Sequence, residues 1–239
     1  MKKIELFIFD MDGLMFDTER LVYGAYIKTA KEYDFEINST VFSHVLGKTR
    51  PDIIKTLSTI YGPDAPIAEW RKAILECKEQ LIEENKQVHK KPGLIEILEL
   101  AKKHNARIAV ASSSNRKQIE RYLKMEQVDH YFDVIVAGDE VKNGKPSPEI
   151  FLTACSKANI EPDKAIVLED SPAGINAARS AGISSFYVKD NFSDLPKKDG
   201  IYKIQVDIST LEYQPAPADY VFNSLLEVCE FLDQKNCTL

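Results

Sequence analysis

Short apolar runs take turns with helical periodicities along most of this sequence, and that alternation leaves few folds open to it. Glu5–Asp10, Arg107–Ser112, Val134–Gly138, Ala165–Asp170, Ser184–Lys189 and Asp219–Phe222 read as strands. Several are apolar throughout, as strands covered on both faces must be. Helical spacing fills the gaps near Gly93–His104, Lys117–Met125, Pro148–Ala158, Ala173–Ala181 and Ser224–Leu232. This order implies an α/β fold in which helices cover a parallel sheet. Local punctuation agrees, since Ser171 suits a helix cap, Pro172 the first helical position and Gly182 the stop.

One stretch breaks the rhythm. From Asp17 to Lys91 apolar positions recur only at helical spacing, in Leu21–Tyr33, Ile53–Tyr61 and Ile67–Glu84. A helical insert of this length has the size of a small domain. The expected organisation is therefore an α/β core domain of residues 1–16 plus 92–239 and a helical cap domain of residues 17–91, hinged near Met15–Asp17 and Val88–Pro92. With 239 residues, 44% of them hydrophobic, the chain has material for a substantial core in such an arrangement. Residues 190–218 exceed what a connection between strands needs, and Ile204–Ile208 alternates like an added hairpin strand. The expectation there is a surface elaboration with no assigned function.

Polar residues collect where the strands end. The run Leu6–Phe9 leads into Asp10-Met-Asp12-Gly13, which read alone is either an ordinary turn or a pair of carboxylates holding a hard cation such as Mg²⁺. Ile108–Ala111 ends in Ser112-Ser113-Ser114, Gly144-Lys145-Pro146 presents a lysine before a helix, and Ala165–Leu168 ends in Glu169-Asp170 followed by Ser171-Pro-Ala-Gly174. In parallel sheets ligands gather at the carboxyl ends of the strands, where loops converge and helices begin. A shared position at those ends makes one site out of separately weak signals.

Several classes are disfavoured by composition. A net charge of −6 argues against broad nucleic-acid binding, which depends on clustered positive charge. No stretch is apolar for long enough to cross a membrane, and Met1-Lys-Lys-Ile-Glu-Leu lacks a signal peptide's apolar region, so a cytoplasmic location is expected. Cys77, Cys155, Cys229 and Cys237 are widely separated and the histidines lack metal-ligand spacing, which disfavours zinc and a disulfide framework. Neither Gly47-Lys48-Thr49 nor Gly144-Lys145 makes a phosphate-binding P-loop, because Phe42 stands where the first needs glycine and Pro146 where the second needs Ser or Thr.

The ordered set resembles the haloacid dehalogenase superfamily of aspartate-nucleophile phosphotransferases, and within it the branch of β-phosphoglucomutases and small sugar-phosphate phosphatases. Asp10-Met-Asp12-Gly13-Leu-Met-Phe-Asp17-Thr18-Glu19 resembles the first motif, Ser112 the second, Lys145 in Gly-Lys-Pro-Ser-Pro-Glu the third, and Glu169-Asp170-Ser-Pro-Ala-Gly the fourth. The resemblance spans Ile4 to Val188 and recurs near Asp219–Leu232.

It implies a Rossmann-like parallel sheet with an inserted all-helical cap that closes over the site. It also implies that Asp10 attacks phosphorus, that Asp12 serves as general acid and then base, and that Mg²⁺ is held by Asp10, the Asp12 carbonyl and Asp170 with Glu169 nearby. Lys145 and Ser112 would hold the phosphoryl oxygens, with Ser113 and Asn115 as nearby polar contacts. Thr18, and Arg50 with Lys48, would contact substrate from the cap, although an exposed arginine is as readily just solvated. A lone lysine is usually solvated and a lone serine after a strand usually caps a helix, so Lys145 and Ser112 carry these roles only through the ordered set. Glu169 is open between pairing with Lys145 and touching the metal.

The mutase members of the branch carry a cap histidine a few residues after the first motif, and here Val22 holds that place. The expected activity is accordingly a Mg²⁺-dependent phosphatase acting on a small phosphorylated metabolite such as a sugar phosphate. A β-phosphoglucomutase-like phosphohexomutase is the alternative. A dehalogenase has no use for Asp12, and a non-catalytic regulatory protein gives no reason for Asp10, Asp12, Lys145 and Asp170 to occur together. Oligomeric state is not readable from the chain.

Overall fold

The computed structural model describes residues 3–46, 48, 50–190, 192, 194–207 and 217–234; the side chain of Arg50, Cys237 and the end of the Ile204–Ile208 alternation lie outside that description. Two compact units result: Met1–Asp17 with Gln87–Asp190 and Ala216–Leu239, and Thr18–Lys86 with Asn191–Pro215.

The first unit is a Rossmann-like α/β domain. Its strands are β1 (Leu6–Phe9), β2 (Arg107–Ser112), β3 (Val134–Ala137), β4 (Ala165–Glu169), β5 (Ser184–Val188) and β6 (Tyr220–Phe222). They form one sheet in the order β3-β2-β1-β4-β5-β6, every neighbouring pair parallel. Every residue of β1 and β4 is buried, which is why both read as unbroken apolar runs. Leu6, Ile8, Ala111, Val136 and Val167 pack on one face against Phe151 and Ala154 of α7 (Glu149–Ala158) and Ala177 and Ala178 of α8 (Pro172–Ser180). Each fully buried Leu, Ile or Val side chain contributes about 1.5–3 kcal/mol to holding those layers together. Helices α5 (Leu94–Lys103), α6 (Arg116–Met125) and α9 (Leu225–Gln234) complete the unit. Moving outward from β1 the order runs through β2 and β3 on one side and through β4 to β6 on the other. The reversal of direction puts a crevice beyond the carboxyl ends of β1 and β4.

Leaving and returning segments are tied to each other within this unit. Asp17 N–H donates to the His89 carbonyl at 2.8 Å and Lys91 N–H to the Met15 carbonyl at 2.9 Å. The buried Glu126 carboxylate receives the N–H groups of Val88 and His89 and the Lys90 ammonium.

The second unit is helical: α1 (Thr18–Tyr33), α2 (Ser39–Ser43), α3 (Arg50–Tyr61) and α4 (Ile67–Asn85). Its centre is aromatic. Phe35 stacks on Trp70 at 3.9 Å between ring centroids, and Tyr26 meets Trp70 edge-on at 5.3 Å. The described part of the 190–218 excursion, residues 194–207, is half-buried or exposed throughout and belongs to this unit. Tyr202 stacks on the other face of Phe35 at 4.8 Å, and backbone bridges join Tyr202 to Phe35 and Lys198 to Ile37. Arg20 forms a two-pronged pair with Asp194 at 2.8 Å. This stretch thus packs on the outside of this unit's core, Tyr202 through an aromatic face that a strand-period reading does not register.

Candidate active site

Register brings the site together. Phe9 lies opposite Val110 of β2 and Leu168 of β4, so the next residues, Asp10, Ala111 and Glu169, stand level at the ends of three adjacent strands. Lys145, from the loop between β3 and α7, reaches all three. Its ammonium donates to Asp10 Oδ1, to Glu169 Oε1 at 2.7 Å and to the Ala111 carbonyl at 3.2 Å, and it lies 4.9 Å from the centre of the Phe151 ring. An ammonium has three N–H donors, and all three are placed.

Burial governs the electrostatics. Asp10 is raised to about 7, first by burial, against the lowering pull of Lys145, with the charges of Glu169 and Asp12 pushing it further up. Burial alone would depress Lys145, but Asp10 and Glu169 together outweigh it and lift the ammonium well above its ordinary range. The site therefore holds more negative charge than its single lysine balances.

Glu169 is locked on both oxygens. Oε1 takes the lysine and Oε2 accepts the Ser171 N–H at 2.7 Å, so the pairing with Lys145 open in the sequence is made. Ser171 also caps α8 through the Gly174 N–H, with Pro172 in the first turn, as its sequence predicts. A Cβ on Gly174 would fall 1.7 Å from Glu169 Oε1. Gly174→Ala is therefore expected to push the carboxylate off its seat and release Lys145, lowering kcat on the order of 10²-fold, since small misplacements have effects of that size. Steady-state kinetics beside a thermal melt tests this, and wild-type kcat in the variant would contradict it.

Asp12 lies two residues beyond Asp10, half-buried. Its Oδ2 accepts a 2.8 Å hydrogen bond from the Ser114 hydroxyl, while the buried Oδ1 has no partner among the described residues. Ser112 is buried and its Oγ accepts the Ser114 N–H at 3.1 Å. Ser113 is exposed, and Asn115 caps α6 by accepting the Gln118 N–H at 2.9 Å. Asp170 follows Glu169, half-buried. Thr18 and Arg50 begin helices of the other unit, Thr18 buried, and Lys48 there donates to Thr56. Asp10, Asp12, Ser112, Lys145 and Glu169 thus gather at one set of strand ends. Ser114 joins them; its signal was only its place in the serine run, because the hydroxyl's target is set by how β1 and β2 align.

Among the described residues no three His, Cys, Asp or Glu side chains form a metal cage of their own, and no helix is long and apolar enough to cross a membrane.

The description haloacid dehalogenase-like hydrolase fits residues 7–188. The chain belongs to that family and is an enzyme of the hydrolase class. It is 34% identical to a phosphorylated carbohydrates phosphatase of Thermotoga maritima over 77% of this chain and 84% of that one. It is 29% identical to the fructose-1-phosphate phosphatase of Escherichia coli over 76% and 95% of the two chains. Among solved structures it resembles a β-phosphoglucomutase from Clostridium difficile, with a TM-score of 0.66 and 26% identity over 97% and 96% of the two chains.

Proposed function

We propose that this enzyme is a Mg²⁺-dependent phosphatase that hydrolyses a small phosphorylated metabolite, foremost a sugar phosphate, through an aspartyl-phosphate on Asp10. The observation that carries this reading is the buried Lys145 bridging Asp10 and Glu169 at the strand ends. It holds a carboxylate oxygen in place beside a crevice of the kind where parallel sheets bind ligands. The phosphatase names of two relatives support the choice of substrate class.

Lys145 fixes Oδ1 of Asp10, which leaves Oδ2 to attack phosphorus. As the carboxylate's charge is spent on the new P–O bond, its hold on the ammonium weakens and an N–H turns to the phosphoryl oxygens, joined by the Ser112 hydroxyl. The P–O bond to the leaving group breaks and Asp12 gives the departing oxygen a proton. Asp12 then takes a proton from water as that water attacks the aspartyl-phosphate, which frees Asp10 and inorganic phosphate.

The surplus of carboxylates and the all-oxygen donor set fit Mg²⁺, which binds through one or two carboxylates and keeps positions for water and phosphate. Asp10, the Asp12 carbonyl and Asp170 would hold it, with Glu169 behind through Lys145. Bound there, the ion would screen the charge between nucleophile and phosphate. Thr18 and Arg50 in the helical unit are proposed to choose among substrates. Val22 packs against that unit's apolar core and carries no group able to move a proton, which weighs against the phosphohexomutase alternative.

Inorganic phosphate release from a panel of sugar phosphates is expected, and only with Mg²⁺ present. Interconversion of sugar phosphates dependent on a bisphosphate activator, without net phosphate release, would establish the mutase instead.

A further inference from the structure

We infer that Ser114 is a positioning residue for proton transfer: its hydroxyl pins one oxygen of Asp12 so that the other is presented to the leaving group. The inference rests on Asp12 acting as general acid. Its own basis is the unequal treatment of the two Asp12 oxygens.

Oδ2 accepts from the Ser114 hydroxyl at 2.8 Å, while Oδ1 is buried and without a partner among the described residues. A buried polar oxygen left open costs stability and calls for an explanation, of which a catalytic role is one. A carboxyl whose Oδ2 faces a donor carries its transferable proton on Oδ1, because a proton on Oδ2 would confront the serine hydrogen.

Ser114 is itself held by its backbone. Its N–H donates to Ser112 Oγ at 3.1 Å, and its carbonyl accepts the Gly138 N–H at 2.9 Å. The Gly138 contact requires glycine, since a Cβ there would lie 2.2 Å from the Ser113 carbonyl oxygen. The loop after β2 is thereby fastened to the loop after β3, and the hydroxyl projects from a fixed base toward the turn that follows β1. The side chain that orients the acid thus comes from a different strand end than the acid does. Rotation of Asp12 about its last torsion would exchange the two oxygens, and Ser114 is the described partner that opposes it.

The test is a series of aryl phosphates from p-nitrophenyl to phenyl phosphate, in which the leaving oxygen becomes steadily more basic and more in need of a proton. Values of kcat/KM, which report the step that releases that oxygen, are compared for wild type, Ser114→Ala, Ser114→Thr and Asp12→Asn. Ser114→Ala is expected to lose activity progressively along the series, its deficit on phenyl phosphate on the order of 10-fold greater than on p-nitrophenyl phosphate, a part of the general-acid contribution. Ser114→Thr, which retains the hydroxyl, is expected to restore the wild-type slope, and Asp12→Asn to show a steeper slope still. An equal loss across the series in Ser114→Ala, or a rise in KM alone, overturns the inference and makes Ser114 a substrate contact or a loop element. If Asp12→Asn shows no dependence on the leaving group, the acid role of Asp12 fails and the inference falls with it. A steep slope in Asp12→Asn beside a wild-type slope in Ser114→Ala refutes the Ser114 inference alone.

Discussion

Asp10→Asn is expected to reduce turnover by roughly 10⁴-fold or more, the scale seen when a nucleophile is removed, while the protein stays folded and melts no lower than wild type. Asparagine has the shape of aspartate and still offers Lys145 an oxygen, so the lysine keeps its place between the strands. The amide oxygen is a poor nucleophile toward phosphorus, so chemistry stops. Stability should move the other way. Burial holds Asp10 up to about 7 in the folded protein, against about 4 for a free carboxyl. An acid whose folded value is raised favours the folded state below its unfolded value, and that advantage disappears as pH climbs through the folded one. At pH 8 the wild type therefore carries an ionised Asp10 at a cost that Asn does not incur. Melts in chelator, so that no bound cation contributes, should show the variant level with wild type at pH 4 and more stable at pH 8. Appreciable residual turnover would remove Asp10 from the nucleophile's role, and a lower melting temperature at pH 8 would contradict the electrostatic account.

Most of the sheet was legible because burial on both faces writes itself into the chain. Ala165–Leu168 admits no polar residue, and the central strand positions follow from such runs, whereas β6, with Val221 exposed, lies at the edge. Two charged members of the site were legible for a related reason, since Asp10 and Glu169 each stand at the end of such a run, whereas Lys145 was marked only by its loop before α7. What the chain withheld were relations between distant residues. The lysine partner of Glu169 depends on Gly174 leaving room and Ser171 offering its N–H. The bond from Ser114 to Asp12 depends on the alignment of two strands about a hundred residues apart in the chain, since Phe9 faces Val110. Helix α2 is too short for periodicity to register and is marked chiefly by its Asn38 cap. The seat of the 190–218 excursion was withheld for a comparable reason. Its alternation was visible, but Tyr202 answers to the Phe35 ring, which no local window contains.

Replacing the lysine tests the arrangement from the other side. Lys145→Met keeps the length of the apolar stem but removes the cation that three strand ends share and that lies over the Phe151 ring. Asp10 and Glu169 then lie buried together without their ammonium, and breaking a buried pair in this manner costs about 3–5 kcal/mol. Lys145 is the attraction that draws Asp10 downward, so its removal lets burial and the neighbouring carboxylates push that group further above about 7. The penalty should consequently be smallest near pH 4, where Asp10 is protonated in the folded protein and about half protonated in the unfolded one, and should grow as pH rises to 8. Urea denaturation at the two pH values in chelator measures it. Adding Asp10→Asn to Lys145→Met should recover part of the loss at pH 8 and little at pH 4, because the second change removes the charge that the first left alone. Activity should be absent from both variants, since neither can hold Asp10 and steady the phosphoryl oxygens at once. A loss independent of pH, or a double variant no more stable than Lys145→Met, would mean that Lys145 acts by packing rather than by balancing the carboxylates around it.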